Sequence, residues 1–386
     1  MLPAIAHHRA GSDTERVLYN FTGGNDGGNA ATGVTFDKSG SMYGTTVVGG
    51  AYNCGTVFKL APQGSSWQES ALYSFTCYGD GKNPHGGVTL DRGNLVGTTV
   101  AGGTGGSCAG DGCGVVFQLK PAAEAVLHSF TGGNDGFGPG GGVTLDATGN
   151  LFGTTPDGGA SSQGVVYEVT RSGRRWSEHV IHAFTGGKDG GVGSLGLLLL
   201  QGSALYGVSE LGGAHGAGTI FKISGANKQW TLTTLYAFKG APDAAFPYGG
   251  LVADTSGNLF GTTYYGGTSG QGTVFELVRN ARGYRERVLY SFKGGSDGSS
   301  STSTLVFAGS GDLYGTTSAG GGSCDCGTIF KVNPKTGQET VLHSFGGGSD
   351  GQYSYYGLTP DASGTLFGTT VAGGLNNQGV VFSFTP

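Results

Sequence analysis

The chain has 386 residues, 82 of them glycine, with only 12% charged and 11% aromatic residues. A net charge of −5, an isoelectric point near 5.9 and the lack of any Lys/Arg cluster exclude a nucleic-acid binder, which needs a basic stripe. No apolar run reaches the roughly 18 residues that cross a bilayer, and regularly spaced Val, Leu, Phe and Tyr argue against the disorder that so much glycine would otherwise suggest.

From the N-terminus, residues 1–16 read as a loose tail around His7, His8 and Arg9; Met1 to Ala10 carry no apolar run that would mark a signal peptide. The segment Met42-Tyr43-Gly44-Thr45-Thr46 then opens a series. It recurs at Leu95–Thr99, Leu151–Thr155, Leu205–Ser209, Leu259–Thr263, Leu313–Thr317 and Leu366–Thr370. Its glycines stand at 44, 97, 153, 207, 261, 315 and 368, so seven units follow one another at steps of 53 to 56 residues. In the third unit four strands are expected, at Gly142–Leu145, Asn150–Thr155, Gly164–Val169 and His179–Phe184; each is rich in β-branched and aromatic residues and bounded by turn formers. The six-residue stretch Leu195–Leu200 reads as one buried strand, and Ala61–Ser70 as a variable polar link between strands. Seven four-stranded units in about 370 residues predict an all-β, seven-bladed propeller spanning 17–386. The last unit stops after its third strand at Val380–Phe384, whereas Val17–Phe21 matches the fourth strand of the other units. The N-terminal strand is therefore expected to complete the last blade and close the ring.

These units resemble the GloVer tandem repeat of exported bacterial proteins, the choice-of-anchor group. The shared features are the G-N-L-[FY]-G-T-T core, the following G-G spacer, the G-[TV]-[VI]-F strand and the V-L-[YH]-S-F-x-G-G-x-D-G segment, together covering Val17 to Pro386. The resemblance implies a secreted or surface repeat protein of poorly defined biochemical role. Thr385-Pro386 is not preceded by a sorting or anchor segment, so the usual attachment route is not expected from this chain.

Six cysteines stand at 54, 77, 108, 113, 324 and 326. Cys54, Cys113 and Cys326 share one repeat position before the third strand, and all six fall on one predicted face. Disulfides Cys54–Cys77 and Cys108–Cys113 are expected, in an oxidising compartment; Cys324–Cys326 spans a single residue, which makes a bridge hard to close. A metal site would need four clustered soft ligands and has none here.

A ring of acids, Asp26, Asp80, Asp135, Asp189, Asp243, Asp297 and Asp350, supplies one carboxylate per unit. One carboxylate per blade does not provide the six or more oxygens of a Ca²⁺ site. The simpler reading is that each Asp caps its own turn through backbone N–H groups; no cofactor is expected, with a structural Ca²⁺ at this ring as the alternative reading. The G-x-S-x-G matches at Gly294–Gly298 and Gly347–Gly351 lack a strand-to-helix elbow, and Gly136–Gly141 fits G-x-G-x-x-G without a βαβ unit. His128, His182 and His343 replace a strand tyrosine and read as packing residues.

More informative are departures from the repeat. After the G-T-T core most units place small apolar residues, but the third has Pro156-Asp157, the fourth Glu210-Leu211 and the fifth Tyr264-Tyr265, with His215 in the fourth loop. His85, Phe137, Phe246, Tyr248, Tyr355 and Tyr356 precede inner strands. Asp157, Glu210, His215, Tyr264 and Tyr265, from neighbouring blades 3 to 5, are expected at the channel mouth with His85, Tyr248 and Tyr355. Aromatic faces with a few polar groups suit sugar rings. A monomeric module binding or scaffolding a polysaccharide is the leading expectation. Its alternatives are a polysaccharide lyase or glycoside hydrolase using Asp157, Glu210, His215 and Tyr264, and a protein-interaction platform.

Overall fold

The computed structural model describes residues 14–30, 32–106, 108–120, 123–193, 196–226, 229–309 and 311–386. Seven antiparallel sheets stand in a ring, six of them with their strands in sequence order from the channel outward. The first blade shows the pattern: Thr35–Phe36 innermost, then Met42–Thr46, Thr56–Gln63 and Ser66–Ser74 outermost. In blades 4 and 5 the innermost position is split, with Gly191–Gly193 and Leu199–Gln201 in one and Ala244–Pro247 and Val252–Ala253 in the other. The seventh blade takes its outer strand from Thr14–Asn20, which pairs antiparallel with Val380–Thr385 from Thr14↔Thr385 to Asn20↔Val380. The ring is therefore closed by the two ends of the chain, and the strand begins at Thr14, within the segment read as tail.

Two local expectations need correction. Ala61–Ser70 is not a link but the tip of a long hairpin, Thr56–Gln63 against Ser66–Ser74, turned by Gly64-Ser65 with Gly64 at φ 62°. The leucine run is not one buried strand: within its described part the strand is Leu199–Gln201, while Leu197 is 44% exposed at the channel.

Each letter of the G-T-T core has a packing reason. Gly261 stands directly opposite Phe275 on the third strand, and a Cβ there would lie 2.6 Å from the ring. The glycine is a shelf for an aromatic ring, and the same pairing recurs, as at Gly44 and Phe58. The first threonine reaches the next blade: Thr45 Oγ1 donates to Pro84 O at 3.0 Å and Thr316 Oγ1 to Ser354 O at 2.9 Å. The second starts the following loop, donating two residues ahead, as Thr46 does to Val48 O at 3.0 Å and Thr263 to Tyr265 O at 2.8 Å.

The core is distributed over the blade seams. Phe75 after one outer strand meets Phe117 of the next blade edge-on at 5.1 Å, and Phe21 meets Phe58 at 5.2 Å. Corresponding pairs at the other seams are Phe130–Tyr167, Phe184–Phe221, Phe238–Phe275, Phe292–Phe330 and Phe345–Phe382. All fourteen rings are essentially fully buried, so each seam combines large apolar burial with favourable edge-to-face geometry. Gly261→Ala must displace Phe275 from this stack. It is expected to destabilise the protein by about 1–3 kcal/mol, as core overpacking does, measured by denaturant unfolding against an exposed control, Gly257→Ala excluded because of its positive φ.

Candidate functional site

The seven aspartates stand in the loops after the outer strands, and each does two jobs. Asp26 accepts a hydrogen bond from Thr22 N at 2.8 Å and one from Tyr19 Oη at 2.9 Å. Asp243 does the same with Lys239 N and Tyr236 Oη, and Asp297 with Lys293 N and Tyr290 Oη. In three blades the tyrosine is histidine: Nε2 of His128, His182 and His343 lies 3.1, 3.1 and 3.3 Å from Asp135, Asp189 and Asp350. The turn-capping expectation holds. The histidines, read as packing residues, also latch the outer strand to the loop seven residues on. Burial pushes the His128 and His343 imidazoles below their usual pKa, against the opposing pull of the aspartates.

Every cysteine is paired: Cys54–Cys77, Cys108–Cys113 and Cys324–Cys326, with Cα separations of 5.4, 5.1 and 5.2 Å. The third bridge, the doubtful one from spacing, is present. Three disulfides point to an oxidising, extracellular environment. Among the described residues no helix is long and apolar enough to cross a membrane, and no group of three His, Cys, Asp or Glu side chains is placed to hold a metal ion.

A cavity of about 1070 Å³ occupies the channel and opens on the face that carries the loops after the G-T-T cores. Six of the eight residues picked for ligand binding line it: His85, Glu210, Tyr248, Tyr264, Tyr265 and Tyr355. Asp157 and His215 do not. Both are exposed, Asp157 spending its carbonyl on Phe137 N at 2.9 Å and on Thr155 Oγ1. Blade 3 consequently adds little to the wall, and the cluster expected from blades 3 to 5 is drawn instead from blades 4 and 5 with contributions from blades 2 and 7. Phe246 and Tyr356 line the cavity as well, but Phe137 packs into the core. Repeat comparison missed Leu197 and Phe36 of the wall.

How the sequence places these rings is a matter of repeat position. In four blades the residue after the G-T-T core or its equivalent lines the mouth: Val47, Glu210, Tyr264 and Val371. The approach to each inner strand contains one residue in the left-handed region, its N–H bonded to the previous blade. It is Asn29, Asn83 and Gly138 in three blades but Val192, Phe246 and Tyr353 in others. Asn and Gly tolerate that conformation, whereas a bulky residue there is strained by about 1–2 kcal/mol. The strain holds Phe246, with φ 56°, at the mouth, 5.8 Å from the Tyr265 ring; Tyr353, with φ 63°, stacks on Tyr355 at 6.3 Å. Tyr264 and Tyr265 meet edge to face at 4.6 Å.

Burial sets the electrostatics. It pushes the Glu210 carboxyl above its usual pKa and the His85 imidazole below its own. Tyr248 is pushed up to about 12 by burial first, then by Glu210, Tyr264 and Tyr355. Such a site can stack flat rings, exchange hydrogen bonds with hydroxyls and offer one carboxylate.

The family model described as the Gloeobacter/Verrucomicrobia repeat matches residues 105–321 and 279–386. No curated protein sequence matches the chain. Among solved structures, a "putative 6-phosphogluconolactonase" from Bacteroides uniformis is 14% identical over 82% of this chain and 84% of its own, with a TM-score of 0.51. A puromycin-hydrolyzing peptidase from Mycobacterium tuberculosis is 11% identical over 89% of this chain and 51% of its own, also at 0.51. At such identities these likenesses concern the fold alone.

Proposed function

The chain belongs to the Gloeobacter/Verrucomicrobia repeat family, and on that premise we propose that it is a secreted or surface-displayed propeller that binds a polysaccharide at its channel mouth without turning it over. The observation that carries this reading is the wall of the 1070 Å³ cavity, where Phe246, Tyr248, Tyr264, Tyr265 and Tyr355 gather around few polar groups. Aromatic faces stack on the apolar faces of sugar rings, and phenol hydroxyls bond their edges. Catalysis by paired carboxylates fits less well, because Asp157 and His215 stand outside the cavity and Glu210 is the one carboxylate lining it among the described residues.

The test is a titration of purified protein against a polysaccharide panel, with reducing-end and unsaturated-product assays run alongside. Binding without product is expected, weakened at least about tenfold in Tyr264→Ala, the loss of more than about 1 kcal/mol typical of an aromatic anchor. Product that disappears in Glu210→Gln would establish a lyase or hydrolase instead. Binding of a protein partner alone, insensitive to Tyr264→Ala, would favour an interaction platform.

A further inference from the structure

The chemistry of the occupant can be narrowed, resting on the reading of the channel mouth as a binding site. Glu210 takes the repeat position that Val47 and Val371 fill in blades 1 and 7, so the fourth blade carries a carboxylate where those two carry an apolar side chain. It is half-buried at the end of the strand Ala204–Leu211. Among the described residues no Lys or Arg lines the cavity to balance it. His85, the other group of the lining that could carry positive charge, is disfavoured as a cation by its burial. Around the carboxylate stand aromatic rings whose faces are electronegative.

A half-buried carboxylate without a cationic neighbour is held at a cost in hydration, and a ligand offering only hydroxyls would cover it further. A positively charged ligand reverses that sign: the carboxylate gains a partner, and the cation exchanges water for ring faces, a contact worth more once desolvated. We infer that the channel mouth recognises a ligand bearing an organic ammonium group, seated between the Glu210 carboxylate and the rings of Tyr248 and Tyr264. Such a group can come from an amino sugar with a free amine or from a quaternary ammonium compound of the choline type.

Calorimetric titration of the full chain at neutral pH with three probes tests this: a glucosamine tetrasaccharide, its fully N-acetylated counterpart, and choline. The free-amine tetrasaccharide should bind at least about tenfold more tightly than the acetylated one, and Glu210→Gln should erase that preference while leaving the melting temperature unchanged. Choline that competes with the tetrasaccharide would place recognition in the ammonium group alone; failure to compete, with the Glu210-dependent preference intact, would assign the amine to a sugar. Equal binding of both tetrasaccharides, unaffected by Glu210→Gln, overturns the inference. If that equal binding is nevertheless lost in Tyr264→Ala, polysaccharide recognition stands without a cation. No binding of either amine probe also overturns it.

Discussion

Lowering the pH from about 8.5 to about 6.5 should raise the melting temperature by about 4 °C. The cause lies in six recurrent carboxyl pairs at the blade seams. Glu15, Glu69, Glu124, Glu178, Glu286 and Glu339 stand four residues before the latching Tyr or His of their outer strands, and in each Oε1 is buried without a hydrogen-bond partner. Burial first, and then the aspartate of the preceding blade, pushes five of these carboxyls up to about 7 and Glu286 to about 8. The sign follows from proton linkage. With the folded pKa above the unfolded one, the folded chain holds protons that the unfolded chain has released, and stability is lost as pH rises through 7 to 8. Discounted for partial exposure, each pair contributes about 0.5 kcal/mol over this range.

Other groups bound the window. His85, His128 and His343, with lowered values, work the opposite way below about pH 6.5, where the unfolded imidazoles take up protons first. Asp37, held at about 2 by hydrogen bonds from Ser39, Tyr43 and the backbone that outweigh its desolvation, stabilises the fold until the pH falls below 4. Blade 4 carries Leu232 at the glutamate position, packed against the seam that holds Phe184 and Phe221. Glu286→Gln should therefore raise the melting temperature at pH 8.5 and flatten its pH profile. A melting temperature that is flat or falls between about pH 8.5 and 6.5 would refute this account.

Deleting residues 1–20 should be the most damaging change, abolishing cooperative unfolding or costing more than about 4 kcal/mol. The strand Thr14–Asn20 is the outer member of blade 7, and its loss would bare the edge of Val380–Thr385. Val380, Val381, Phe382 and Phe384 are fully buried, so the edge would also open a strip of core. A permuted chain carrying residues 14–20 after Pro386 through a short linker should recover the wild-type transition, because the ladder is restored with different covalent order. Wild-type unfolding in the deletion would show that closure is dispensable.

Much of this was legible beforehand. The period of the G-T-T core gave the blade count, and the missing fourth strand of the last unit gave the closure, because strand patterning is local and repeated seven times. The aspartate latches were half visible: the capping role follows from Asp in a glycine-rich turn, whereas the partner seven residues earlier becomes meaningful only once the outer strand bends into its loop. Site residues were harder. Glu210 and Asp157 are equal as departures from the repeat, yet one lines the cavity and the other points to solvent, since membership depends on how loops from non-adjacent blades lean over the channel. The strain at Phe246 was invisible, because the sign of a backbone angle is not written in a phenylalanine.

The pairing of Thr14 with Thr385 has a consequence for display. Outer and third strands of blade 7 run in opposite directions, so Thr14 and Thr385 stand side by side on the face opposite the cavity mouth. A tether fixed to the ring beside this pair would present the mouth outward, and immobilising the protein through that face should leave the opposite surface free to capture ligand.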